Sequence, residues 1–155
     1  LSWRAKQCGG ETQFIELAGE INTAMPSHVV DRVCFELGDA TAGSRVMVIG
    51  VSYKPNVSDI RETPAAPIIE QLQARGCEVS YHDPHCPNFP AMKRHAIDLS
   101  SVPLDAAHLA AADAVLIVTN HDAIDWTIIG DHASLIVDTR NAMAGISVAG
   151  RLVKA

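Results

Sequence analysis

A chain of 155 residues with 48% hydrophobic and 19% charged residues can build one core of ordinary size, with a small appendage. Its net charge of -6 and the lack of any Lys/Arg run argue against general nucleic-acid binding, so any recognition of phosphate has to be local. No apolar run approaches the roughly 20 residues that a membrane helix needs.

The first residues, LSWRAKQCGG, have no apolar signal-peptide core and no initiating Met, and they read as a cut inside a longer protein. Cys8, Cys34, Cys77 and Cys86 form no CxxC and read as free thiols of a reducing cytosol, so the expected setting is cytoplasmic. Cys8 has no base or acid–base carboxylate beside it, which speaks against a nucleophile.

Residues 11–38 predict helix. Phe14, Leu17, Ala18 and Ile21 follow the i, i+3, i+4, i+7 spacing and Met25 extends the stripe. Pro26 predicts an end or a kink, with Ser27 placed to restart the helix. A second stripe follows at Val30, Val33, Cys34 and Leu37, with Arg32 and Glu36 paired on the other side and Gly38 as the stop. Both stripes need cover, on a sheet, on a partner subunit or on a neighbouring domain.

From residue 45 strands and helices alternate. Val46–Ile49 is an apolar strand. Thr63 predicts a helix cap with Pro64 in the first position, a buried stripe of Ala65, Ile68, Ile69 and Leu72, and Gly76 at the end. Glu78–Tyr81 is a second strand, and residues 85–103 are irregular. Short helices at 104–112 and 125–131 alternate with strands at 114–119 and 135–138, and a brief last strand falls near 151–153. Apolar runs of four to six residues between helices predict a parallel sheet covered on both faces.

A loop of about a dozen residues separates the first strand from its helix, where two to six is usual. It carries Tyr53, Lys54, Asp59, Arg61 and Glu62. His82 and Asp83 follow the second strand, Asn120, His121 and Asp122 the third, and Thr139, Arg140 and Asn141 the fourth. In a parallel sheet these positions share one edge, where open α/β sheets bind ligands. Lys54 and Arg140 suit a diphosphate and Tyr53 a base or ribose. The helix opening at Thr63 is expected to aim free N–H groups at the same crevice. Taken alone, Arg61 could instead pair with Asp59 or Glu62, and Arg140 with Asp138. The first turn, Gly50-Val51-Ser52-Tyr53, has one glycine where a dinucleotide fingerprint has three, which favours a mononucleotide or nucleotide sugar. His82-Asp83-Pro84-His85-Cys86 has metal-ligating residue types but no second ligand group at zinc spacing, so a capped turn is expected and no metal.

GVSYKPNVSDIRETPA, GCEVSYHDP, ADAVLIVTNHDAID and IVDTRNAM together resemble the C-terminal domain of the UDP-glucose/GDP-mannose dehydrogenase family. FIELAGEINTAMPSHVV resembles that family's central helix. Within the family, IELAGEINTAMP and VDTRNAM look most like bacterial UDP-N-acetylglucosamine or UDP-N-acetylmannosamine 6-dehydrogenases. The resemblance implies a three-layer, Rossmann-like α/β UDP-binding domain over residues 43–155. Residues 1–42 would then be the end of a central helical domain that forms a homodimer. It implies that Tyr53, Lys54 and Arg140 contact the UDP-sugar and that Arg61 reaches the NAD side of the cleft. Such enzymes oxidise the sugar C6 alcohol to a carboxylate in two NAD-dependent steps through a cysteine thiohemiacetal. The GxGxxG segment and the glycine-flanked catalytic Cys motif have no match here, and Cys8 fits no part of the latter. NAD is therefore expected mainly on an absent N-terminal domain, no catalytic residue is expected in this chain, and the chain alone is expected to be inactive. A stand-alone nucleotide-binding module and an assembly module driven by residues 11–38 are the rival readings.

Overall fold

The computed structural model describes residues 1–92 and 94–155. The elements run α1 (Ser2–Gln7), α2 (Gln13–Leu37), a 3-10 turn (Gly38–Ala40), β1 (Arg45–Ile49), α3 (Ala65–Ala74), β2 (Glu78–His82), α4 (Ala106–Ala111), β3 (Ala114–Ile117), α5 (Trp126–His132), β4 (Leu135–Asp138) and β5 (Arg151–Lys154). All strands are parallel, in the order β2-β1-β3-β4-β5. The sheet is thus the expected α/β, doubly wound arrangement, and its order reverses direction between β1 and β3.

Alternation along each strand builds the two faces. Val46, Val48, Leu116, Val118 and Val137 meet Val29, Val30 and Val33 of α2 and Ile68, Ile69 and Leu72 of α3. Met47, Ile49, Val115, Ile117 and Ile136 meet Leu109 of α4 and Ile129 of α5 on the other side. Every residue of β3 and β4 is buried, as expected for central strands with helices on both faces.

Helix α2 does not end at Pro26, one of the two outcomes expected there. It runs unbroken through Pro26 for 25 residues, although the missing N–H leaves the Asn22 carbonyl without its helical donor. Pro26 is itself buried, and Val29, Val30 and Val33 next to it are fixed on the sheet, so packing holds the helix across the defect. The two stripes also differ in fate. The second lies on the sheet, whereas Phe14, Leu17, Ile21 and Met25 of the first are exposed. The α1 turn was not predicted and buries nothing. The described residues between 85 and 103 are irregular as expected, but Ser101 and Val102 run beside β2 through Tyr81 and cover part of that edge.

Candidate functional site

The long loop after β1 begins with a close approach. Gly50 has φ +76°, and a β-carbon there would lie 2.1 Å from the Thr119 carbonyl oxygen. Only glycine allows the chain to turn away from β1 so near β3. The Thr119 hydroxyl then donates to the Ser52 carbonyl at 2.6 Å.

Asp83, at the end of β2, anchors the next residues. It is buried, and its Oδ2 accepts from Val51 N at 2.7 Å, Ser52 N at 3.1 Å and Ser52 Oγ at 3.1 Å. His121 Nε2 lies 3.1 Å from the same oxygen, and Asp83 Oδ1 accepts from His85 N at 2.8 Å. Burial pushes this carboxyl up, but the N–H groups of Val51 and His85, the His121 ring and the Ser52 hydroxyl outweigh it and hold the group below its ordinary 3.8. The Asp83 carboxylate thus caps the start of the His82–Cys86 stretch. No metal-binding group of three His, Cys, Asp or Glu residues occurs among the described residues.

The loop's far end is tied to the segment after β3. Asn56, at φ +61°, donates its N–H to His121 Nδ1 at 2.9 Å. Its side chain exchanges two bonds with Asp122, Nδ2 to Oδ2 at 2.8 Å and Asp122 N to Oδ1 at 2.9 Å. Tyr53 and Lys54 lie between these two anchors, with Tyr53 about half exposed and Lys54 Nζ 5.7 Å from its ring centroid.

Arg140 reaches the same segment from the other side. Its Nε faces Asn120 Oδ1 at 3.4 Å. Asp138 does not pair with the guanidinium, because its oxygens accept from the backbone N–H groups of Arg140 and Met143. Lys54 and Arg140 take part in no ion pair among the described residues. Strands β1, β3 and β4 are neighbours, so Tyr53, Lys54 and Arg140 flank residues 120–122 on one rim.

Arg61 differs. It is engaged by Asp59 in a fork, Nε to Oδ1 at 3.0 Å and Nη2 to Oδ2 at 2.8 Å. The guanidinium and the Arg61 N–H draw the exposed Asp59 carboxyl down to about 2. The α3 N-terminus also departs from expectation. Thr63 caps it, accepting from Ala65 N at 3.2 Å and donating to the Val51 carbonyl at 2.7 Å. Pro64 and Pro67 have no N–H, and Thr63, Ala65 and Ala66 are buried, so this helix end faces the loop and not an open crevice.

Sequence reasoning missed Asn56 and Lys154; it placed Asp83 and His121 on the strand-end edge but did not give them the task of holding the loop. Lys154 donates to Asn141 Oδ1 at 2.6 Å, adding a cation to the rim beside Arg140. Its place at the end of a parallel strand was the available signal. The turn after β1 does not fit an NAD pyrophosphate: Gly50 is packed on Thr119, and the Val51 and Ser52 N–H groups are taken by Asp83. A hollow of about 270 Å³ beside Arg45, Glu78 and His108 lies near the opposite strand ends, with Arg45 facing Asp113 and His108 facing Asp105.

A doubly wound α/β sheet thus carries unpaired cations and an aromatic ring at its strand ends, the edge at which open α/β sheets bind ligands. Residues 47–145 match the family described as UDP-glucose/GDP-mannose dehydrogenase family, UDP binding domain. The chain belongs to this family. It is 29% identical over 150 residues to a UDP-N-acetyl-D-mannosamine dehydrogenase of Methanococcus vannielii, a match that covers 91% of this chain and 33% of the relative. The solved UDP-N-acetyl-mannosamine dehydrogenase of Staphylococcus aureus is 31% identical with a TM-score of 0.65, over 87% of this chain and 31% of that one. A GDP-mannose dehydrogenase from Pseudomonas aeruginosa shares the fold, with a TM-score of 0.74 at 19% identity over 99% of this chain and 36% of that one. The chain spans about a third of the length of these relatives. Among the described residues, no helix is long and apolar enough to cross a membrane.

Proposed function

We propose that this chain grips the UDP half of a UDP-N-acetylhexosamine within an NAD-dependent nucleotide-sugar 6-dehydrogenase that converts the sugar to its uronic acid. The observation that carries this reading is the pair of unpaired cations, Lys54 and Arg140, flanking residues 120–122 at the switch-point rim. Arg140 offers a planar fork to phosphate oxygens, Lys54 a point charge, and Tyr53 a face for the base or ribose. Held there, the diphosphate fixes the sugar's position for oxidation, and binding energy remote from C6 is spent on orientation.

No residue of this chain is assigned to the chemical step. NAD, which accepts the hydride when bound, is held mainly outside the sequence, and Arg61 is the residue assigned to its side of the cleft. The packed turn at Gly50 supports that division. Residues 1–42 belong in this reading to a central helical domain and residues 43–155 to the UDP-binding domain, with a homodimer formed through the exposed first stripe of α2. The setting is cytoplasmic and the pathway is synthesis of a polysaccharide.

Calorimetric titration of the 155-residue chain with UDP, UDP-N-acetylmannosamine and NAD in parallel tests this. Heat with both uridine ligands and none with NAD is expected. Absence of UDP binding at millimolar concentration would overturn it and favour an assembly role.

A further inference from the structure

His121 is fully buried, yet both of its ring nitrogens are used. Asn56 N–H can only donate, so Nδ1 is bare. Asp83 Oδ2 accepts, so Nε2 carries the proton. The two partners therefore select one neutral tautomer. They are also two of the anchors of the Tyr53–Lys54 span: Asp83 holds Val51 and Ser52 on one side, and Asn56 closes the other, while Tyr53 N–H donates to the Asp59 carbonyl at 2.7 Å within it. Asn56 keeps a left-handed backbone, a conformation that persists only where its surroundings determine it.

We propose that His121 is the positioning residue of the substrate loop, and that it holds Tyr53 and Lys54 in place only as the neutral Nε2–H imidazole bridging Asp83 and Asn56. The proposal rests on the nucleotide reading given above, because it assigns a task to the loop that meets the diphosphate. A second proton would place an N–H on Nδ1 against the N–H of Asn56, two donors with no acceptor between them, and the far anchor would be left to the two Asn56–Asp122 side-chain bonds. The groups around the ring are Asp83, His82 and His85 from the end of β2, with the His85 ring centroid 4.9 Å away, and Asp122 next in the chain. The loop itself presents Ser52 and Asn56. Burial pushes the imidazole below its ordinary 6.5, Asp83 opposes this, and His85 and His82 add to it, so the neutral form is the resting one.

The test compares the wild type with His121→Gln and His121→Ala. Gln keeps one donor and one acceptor, whereas Ala keeps neither. Imidazole nitrogen shifts, hydrogen exchange at Asn56 and UDP affinity are measured from about pH 8 down to about pH 5.5, the range in which histidine takes up its proton. We expect a bare Nδ1, a protected Asn56 amide, and UDP affinity in His121→Gln within about threefold of wild type. In His121→Ala, Asn56 protection and UDP affinity should each fall by about tenfold or more. Affinity should decline further on acidification in the wild type than in His121→Gln. Wild-type protection and affinity in His121→Ala, or an identical acid decline in His121→Gln, would overturn the proposal. If His121→Ala does not fold, the wild type and His121→Gln decide it through the acid arm. If no form binds UDP, the nucleotide reading fails, while Asn56 exchange and the nitrogen shifts still decide whether His121 holds the loop.

Discussion

Gly50 and Thr119 occupy space that no side chain can share: a β-carbon on Gly50 would sit 2.1 Å from the Thr119 carbonyl oxygen and 2.8 Å from its Cβ. Backbone is the obstacle, so no rotamer change relieves it, and the +76° φ adds strain for any L side chain. Gly50→Ala should lose about 2 kcal/mol or more of stability. Gly43 also has a positive φ, but nothing lies within 4 Å of its added carbon, so Gly43→Ala should lose only about 1 kcal/mol. Urea unfolding of the two variants checks this, and equal losses would mean that the approach to Thr119 can relax.

The Asp83–His121 pair predicts an acid limb in two steps. Asp83 is held below 3.8 in the folded chain, so its contribution is full above 3.8 and fades as pH falls through the folded value. His121 is held below 6.5, so the unfolded chain takes up that proton first and stability begins to fall as pH drops below 6.5. Both steps have the same sign, and one proton contributes a slope of at most about 1.4 kcal/mol per pH unit. Denaturation midpoints between neutral pH and about pH 4.5 should decline less steeply in His121→Gln than in the wild type. Equal slopes would remove His121 from the acid limb. Asp83→Asn should cost about 3 kcal/mol at neutral pH, because it leaves several buried donors short of an anion.

What the sequence disclosed follows from how each feature is encoded. Strands β3 and β4 are legible because they are apolar on both faces, and the Thr63-Pro64 start of α3 because capping is local chemistry. The continuity of α2 through Pro26 was not legible, since the compensation comes from burial on a sheet far away in sequence. Lys54 and Arg140 could be named from their positions after strands, but their freedom from carboxylates could not. Asp138 stood two residues from Arg140 and turned out to accept from backbone N–H groups instead. His121 and Asp83 are separated by 38 positions, and neither carries a local pattern that announces a shared hydrogen bond.

Lys54 and Arg140 have charges free for a ligand, and each projects from an exposed position that contributes little to packing. Lys54→Ala and Arg140→Ala should each weaken UDP binding by about 1 to 3 kcal/mol, the range for hydrogen bonds to charged groups. Thermal stability should change by less than about 0.5 kcal/mol. Calorimetry and thermal melts on the same samples separate the two effects. Unchanged affinity in both variants would remove them from the site.

The first stripe of α2 leaves Phe14 84% exposed and Leu17 and Ile21 each 53% exposed, on the same helix whose other half is locked into the core. Exposed apolar side chains at helical spacing are the kind of surface that a partner covers. If a second copy covers it, Phe14→Glu with Ile21→Glu places buried charges in that contact while touching little within the protomer. Sedimentation equilibrium should then show a wild-type dimer and a monomeric double variant, with helix content by circular dichroism reduced by no more than the uncovered first half of α2. The isolated α2 half has little else to hold it, so a wild-type monomer would mean that another segment or domain covers the stripe, and the homodimer reading would be withdrawn.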